Sequence, residues 1–319
     1  MTRRRILLGA LCSTLPGVTF AADAERAVHM LQVGVLPANA TSPAVDALRA
    51  GLRELGYEEG RNLIIATRDG GSTNDRLPAL AAELVAIPVD VIVTQGPYGL
   101  QAAKDATNTI PILFSGVGAN FPGLRSNANL TGVAEEIIES TVTRLGLLRE
   151  AVPTLARAGI LSNPNNYGTS DYLNACEAWA GTAGVRLHVY EVREPDAVPR
   201  AFAKMSQENV DGLIALTDSV IFRQREVIVR MALDHRLPGC YPYREWVSAG
   251  GLLSYGPNFA ATLRGAVPAM IDRIARGTQP SNIPVERPKS EIFVNVKTAA
   301  TLGITLPKSL LRRADELIS

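Results

Sequence analysis

A chain of 319 residues is too long for one small core and suits two α/β lobes of roughly 120 to 150 residues each. Hydrophobic residues at 46% and charged residues at 20% exclude a disordered chain. With 32 Lys plus Arg against 31 Asp plus Glu, the net charge of +1 provides no field to gather phosphate backbones or anionic lipid, which argues against nucleic acid as a partner.

Arg3, Arg4 and Arg5 precede the apolar run Ile6 to Val18, and the small residues Ala21, Ala22 and Ala24 follow. The run is too short to span a bilayer, and the basic, apolar and small-residue succession predicts an export signal over residues 1–24 and a periplasmic mature chain. A buried N-terminal helix would instead need the arginines solvated while the apolar run packs in a core. Thr2 to Leu7 also resembles a twin-Arg export signal, and Leu11 before Cys12 argues against lipidation. Removing the signal leaves Cys176 and Cys240 in an oxidising compartment. They either pair, which needs Cα atoms within about 7 Å, or stay buried as free thiols.

The mature chain then alternates strand and helix. Strands are predicted at Gln32 to Leu36, Asn62 to Thr67, Val91 to Thr94 and Pro111 to Ser115, with helices near Val45 to Leu55, Leu77 to Ala86 and Gly99 to Ala106 between them. The order recurs with strands at Ala158 to Ser162, Arg186 to Val192, Gly212 to Leu216 and Pro238 to Tyr241, separated by helices ending near Ala183 and crossing Phe202 and Val227. The repeat shows in the letters: Val89-Asp90 leads into one apolar strand and Val210-Asp211 into another, and Ile110-Pro111 and Leu237-Pro238 each open the next. The pattern predicts an α/β fold of two doubly wound parallel-sheet lobes. Three apolar segments are expected to cross between them as a hinge: Leu130 to Val133, Gly250 to Gly256 and Glu291 to Val296. Lobe 1 would comprise residues 27–132 and 253–285, and lobe 2 residues 133–252 and 286–319.

Open parallel sheets bind ligands beyond the carboxyl ends of their strands. Lobe 1 offers Ala38, Asn39, Gln95, Gly96, Tyr98, Phe114, Ser115 and Gly116 there, and lobe 2 offers Asn163, Asn166, Tyr167, Gly168, Asp218, Tyr241 and Arg244. The helix start after Asn166 suits a ligand carboxylate, or Thr169 or Ser170 simply caps it. Asp218 either receives a ligand ammonium or caps the helix that follows. Tyr98, Phe114, Tyr167 and Tyr241 either stack on a flat ligand or pack the core, and Arg244 with Glu245 is a candidate ion pair. His29, His188 and His235 are widely separated and give no metal-ligand spacing, and no G-x-S-x-G elbow, P-loop or H-E-x-x-H occurs. No catalytic residue, metal or cofactor is therefore expected.

The runs Arg244 to Asn258 (REWVSAGGLLSYGPN), Leu161 to Asn166 (LSNPNN), Asp75 to Val85 (DRLPALAAELV) and Leu306 to Ile318 (LPKSLLRRADELI) resemble the ABC transporter substrate-binding family that includes tryptophan- and tyrosine-type binding proteins. The resemblance covers essentially the whole mature chain. It implies the type I periplasmic-binding-protein fold, no catalysis, a small-molecule ligand in the interlobe cleft and an ABC transporter permease as partner to a monomer. In the cleft the chain departs from that family, with Gly118-Ala119-Asn120 where Gly-Asp-Pro is frequent and Tyr167 where proline is frequent. A sensory protein of the same fold, feeding a membrane chemoreceptor or kinase, is the competing role. A lactose-repressor-type regulator would need a helix-turn-helix where the export signal stands. N-terminal sequencing of periplasmic protein is expected to begin between Ala21 and Ala24, and a full-length cytoplasmic product would overturn both location and role.

Overall fold

The computed structural model describes residues 30–36, 43–68, 74–124 and 128–318; the export signal expected over residues 1–24 lies outside them. Lobe 1 begins with β1 (Leu31–Leu36), α1 (Pro43–Glu54), β2 (Leu63–Thr67), α2 (Leu77–Val85), β3 (Val91–Gln95), α3 (Gly96–Ala106), β4 (Ile112–Gly118) and β5 (Leu130–Glu135). Lobe 2 follows as α4 (Ile137–Ala151), β6 (Arg157–Ser162), α5 (Thr169–Ala183), β7 (Arg186–Glu191), α6 (Ala197–Gln207), β8 (Gly212–Ala215), α7 (Ser219–Arg223), α8 (Arg225–Asp234), β9 (Gly239–Tyr241), α9 (Arg244–Ser248) and β10 (Leu253–Pro257). Two helices, α10 (Phe259–Arg264) and α11 (Ala266–Ala275), return to lobe 1. The chain ends in lobe 2 with β11 (Ser290–Asn295), α12 (Val296–Leu302), α13 (Lys308–Arg313) and β12 (Glu316–Ile318).

Side chains alternate across each strand, so a continuous apolar strand feeds two cores. In β3, Val91 and Val93 pack with α1, α10 and α11, whereas Ile92 packs with α2 and α3. In β8, Ile214 faces α4 and α5, whereas Leu213 and Ala215 face α6 and α8. The first sheet has the order β2-β1-β3-β4-β5 and is parallel throughout. The second has the order β12-β11-β10-β9-β8-β6-β7.

The Val-Asp repeat has a structural cause. Asp90 donates its N–H to the Gln32 carbonyl at 2.8 Å and accepts the Gln32 N–H at 2.7 Å. Asp211 repeats this with Arg157, at 2.8 Å in both directions. Asp315 makes the same reciprocal pair with Ile292, at 2.9 and 2.8 Å. In each case a carboxylate accepts a backbone N–H near the amino end of a strand, at Gln32 in β1, Arg157 in β6 and Ile292 in β11.

The crossings fall beside the expected segments rather than within them. Leu130 to Val133 belongs to β5, which pairs with β4 in the first sheet, so the chain leaves lobe 1 only after Glu135. Leu253 to Pro257 is β10, paired with β9 and β11 in the second sheet, and the return follows Pro257; residues 253–257 therefore stand in lobe 2. Glu291 to Asn295 lies in β11, and the third crossing precedes it, where Glu286 bonds the Gly132 carbonyl and accepts from the Ala134 N–H along the β5 edge. Because β10 runs toward lobe 1 and β11 comes back from it, the two pair antiparallel, the exception to an otherwise parallel arrangement. Both Cys176 and Cys240 are free and fully buried, and burial pushes each thiol up to about 12.

Helix α10 is seated against α1 at Gly51, where a Cβ would lie 2.0 Å from the Arg264 carbonyl oxygen and 2.6 Å from Pro268 Cγ. Gly51→Ala is expected to destabilise the protein by about 1–3 kcal/mol through overpacking, read as a lower urea midpoint with unchanged m-value. Gly146→Ala in α4, where a Cβ meets nothing within 4 Å, is expected to stabilise it by about 0.5–1 kcal/mol.

Candidate functional site

The carboxyl ends of the two sheets face each other across a cavity of about 270 Å³. From lobe 1 come Gln95 and Gly96 at the β3–α3 junction, Gly116 and Gly118 on β4, Phe121 beyond it, and Phe259 at the start of α10. The β4–β5 register shifts between Phe114 and Val117, and this irregularity carries Gly116 at φ 66°, a backbone that side chains adopt only under strain. The close approach matters for the site, because a Cβ there would touch the Phe259 ring at 3.5 Å and the Gly96 nitrogen at 3.6 Å.

Lobe 2 contributes Asn166 and Tyr167 after β6, Tyr172 on α5, Thr217 to Ser219 after β8, Phe222 and Arg223 on α7, Arg225, and Tyr243 with Glu245 after β9. Asp218 has extended backbone and accepts the Ile221 N–H at 2.9 Å, while Asn163 Nδ2 donates to its other oxygen at 3.2 Å. It is thus a helix cap and a wall of the cavity at once. Burial raises its pKa, against the hydrogen bonds that favour the charge. Asn166 donates its amide to the Thr217 carbonyl at 2.7 Å. The ring of Tyr243 lies 5.9 Å from Phe222 and 5.6 Å from Phe259, an aromatic wall that runs from one lobe to the other.

Several expected residues stand elsewhere. Ala38 and Asn39 lie outside the described residues. Phe114 is fully buried in the core between the first sheet, α2 and α3, and Ser115 is turned inward to the Thr94 carbonyl. Tyr241 is buried against Trp246, with ring centroids 4.7 Å apart and planes 6° from parallel. Arg244 is turned away to Glu316 of β12, at 2.8 Å from Nε, so it does not pair with Glu245. Neighbours on a helix point about 100° apart, which sends Glu245 to the cavity instead. Tyr98 does not line the cavity; its hydroxyl is buried without a partner among the described residues, and burial, followed by the charge of Asp218, raises its pKa. Neither Thr169 nor Ser170 caps α5: Gly168 does so in the left-handed region at φ 81°, where a Cβ would meet Tyr172. His188 pairs with Glu208 and His235 with Ser206, both away from the cavity, and His29 lies outside the described residues. No group of metal-ligating side chains is found among the described residues.

The sequence reading missed Phe121, Phe222, Phe259 and above all Glu135. The last is fully buried at the first crossing and accepts the Tyr243 hydroxyl from lobe 2 at 2.9 Å. Arg144 lies fully buried nearby and donates to the carbonyls of Tyr255 and Ala215 at 3.1 and 3.2 Å and to the Thr217 hydroxyl at 3.3 Å. Burial pushes Glu135 up from 4.5 to about 7, against the Tyr243 hydrogen bond and the Arg144 charge and with the help of Glu245. An unfolded carboxyl releases its proton near 4.5, so the native state holds more protons between that value and about 7. Stability from this group is therefore complete below 4.5 and is lost as pH climbs through 7, on the order of 3 kcal/mol. Glu135→Gln keeps the Tyr243 hydrogen bond and is expected to flatten this dependence in denaturation curves at pH 5 and pH 8, with the variant the more stable form at pH 8. Parallel curves for the two proteins would show that Glu135 stays ionised.

Residues 33–318 match the family model described as ABC transporter substrate binding protein. A tyrosine-binding protein of Clostridioides difficile strain R20291 is 22% identical over 274 residues, covering 82% of this chain and 78% of that protein. A conserved domain protein from Vibrio cholerae O1 biovar El Tor N16961 superposes with a TM-score of 0.81 at 25% identity over 90% of this chain and 99% of that one. An ABC domain from Streptococcus pneumoniae, solved in complex with L-Trp, also gives 0.81, at 21% identity and the same coverage. With the family model spanning nearly all of the two lobes and the cavity between them, the chain belongs to the ABC transporter substrate-binding protein family.

Proposed function

We propose that the protein is exported, captures a small amino-acid-like or aromatic-carboxylate molecule between its lobes and delivers it, as a monomer, to the permease of an ABC importer in the periplasm. The observation that carries the reading is the cavity itself. Six aromatic rings line it, from Phe121, Tyr167, Tyr172, Phe222, Tyr243 and Phe259, together with the charged side chains of Asp218, Glu245, Arg223 and Arg225. Rings take up a flat apolar body, and charges of both signs suit a small polar end. The ligands of two relatives, tyrosine and L-Trp, have this composition.

Contacts across the cleft support capture by closure. The amide of Asn74 in lobe 1 meets the Ser219 hydroxyl of lobe 2 at 3.4 Å, Asn120 reaches Asp171 at 3.3 Å, and the Phe121 and Tyr167 rings meet edge to face at 5.0 Å. None of these contacts crosses the chain connections, so opening the lobes breaks them without unfolding either core. Only short segments at Glu135 to Ile137, Pro257 to Phe259 and residues 286–290 must bend.

A thermal-shift screen of aromatic amino acids and aromatic carboxylates tests the reading. A ligand that binds only the native state is expected to add about 2.7 kcal/mol at a hundredfold excess over its dissociation constant. X-ray scattering at saturation is expected to show a smaller radius of gyration than the ligand-free protein. A screen that moves no melting midpoint would overturn the ligand class, and a hit that leaves the radius unchanged would overturn closure.

A further inference from the structure

Three acceptor side chains stand in a row on the lobe 2 wall. Glu245 follows β9, Asp218 follows β8 and Asn166 follows β6, and these strands are neighbours in the order β9-β8-β6. All three residues line the cavity. The middle one is already engaged, since the Asp218 carboxylate accepts from Ile221 and Asn163.

The flanking pair is not. Asn166 is only 6% exposed, and its amide orientation is settled by the 2.7 Å bond from Nδ2 to the Thr217 carbonyl, because a flipped amide would set two oxygens against each other. Its Oδ1 is left buried with no partner among the described residues, and Glu245 Oε2 is in the same state. A buried acceptor without a donor lowers stability until one arrives. Both guanidinium groups on the same wall have acceptors: Arg225 donates to the Phe222 carbonyl at 3.4 Å, pairs with Glu226 at 3.1 Å and lies 5.0 Å over the Phe222 ring, and the Nη2 of Arg223 reaches Asn74 at 3.4 Å.

A ligand carboxylate brings acceptors only and would leave Asn166 and Glu245 as they are. A protonated amine brings up to three donors on one atom. We propose that the obligatory group of the ligand is its amine, received by Asn166 and Glu245 on either side of Asp218, and that the carboxylate is dispensable. The inference rests on the ring-binding cavity proposed above and narrows its ligand class to aromatic amines, with or without an acid. Desolvation raises the pKa of both Asp218 and Glu245, and an entering cation would offset that penalty.

Calorimetry with L-tryptophan, tryptamine and indole-3-propionate separates the groups, and L-phenylalanine, phenethylamine and 3-phenylpropionate repeat the comparison on a smaller ring. The wild-type protein is expected to bind each amine at least tenfold more tightly than the matching acid, the effect of a charge-assisted hydrogen bond. Glu245→Gln is expected to weaken amine binding about tenfold or more while leaving the acids unchanged or tighter, with an unchanged melting midpoint. If that variant melts early, the wild-type comparison of amine with acid decides alone. Acids that bind as well as amines would overturn the inference and leave the ring-binding cavity standing, as would an equal loss for both classes in Glu245→Gln, which would assign Glu245 to holding Arg225. Failure of all six compounds at millimolar concentration would overturn the cavity reading and this inference with it.

Discussion

The buried guanidinium of Arg144 ties together the parts from which the site is made. Its three bonds reach the Ala215 and Tyr255 carbonyls and the Thr217 hydroxyl, that is, the end of β8, the middle of β10 and the loop that carries Asp218. A fully buried cation is tolerable only when its donors are met and a counter-charge is near. Carbonyl dipoles supply the first requirement; burial lowers the Arg144 pKa, and Glu135 offsets this in its ionised form, above about pH 7. The geometry of lobe 2 at the cavity therefore depends on one side chain rooted in α4, the first helix after the chain has crossed over.

Glu135 places the same constraint at the crossing. Its bond from Tyr243 links the last residue of the lobe 1 sheet to an aromatic residue of the lobe 2 wall, and Tyr243 in turn stands between Phe222 and Phe259. Any opening of the cleft must either keep this bond and pivot about it, or break it and expose a carboxyl that burial holds near neutrality. The first course agrees with its position beside the hinge. Ring placement, lobe orientation and protonation are thus coupled through a single short contact.

The rest of the molecule follows from strand direction. Two strands passing the same gap in opposite senses must pair antiparallel, which accounts for β10 and β11 in a sheet whose other pairs are parallel. The Asp90 and Asp211 clamps complete backbone pairing at the end of the sheets remote from the cavity, leaving the carboxyl ends to carry the polar residues.

The sequence by itself determined the two-lobed α/β architecture, since apolar strands bounded by helical periodicity and a repeated Val-Asp and X-Pro pattern admit few other folds. It also brought Gln95, Gly96, Gly116, Asn166, Tyr167 and Asp218 to the cavity, because strand ends in open sheets all point one way. Tyr241 ends β9 and Phe114 lies within β4, which runs on to Gly118; which face of a strand an aromatic occupies depends on the parity of its register, and tertiary packing turned both into the cores. The crossings were displaced by a few residues because an apolar strand and an apolar connector look alike in one dimension. Glu135, Arg144 and Tyr243 were invisible as a unit, being 9 and 108 residues from Glu135 in the chain and joined only by the fold. Whether a carboxylate is solvated or buried, and which acceptor is left without a donor, are properties of the surroundings in three dimensions, and the tertiary structure alone decided them.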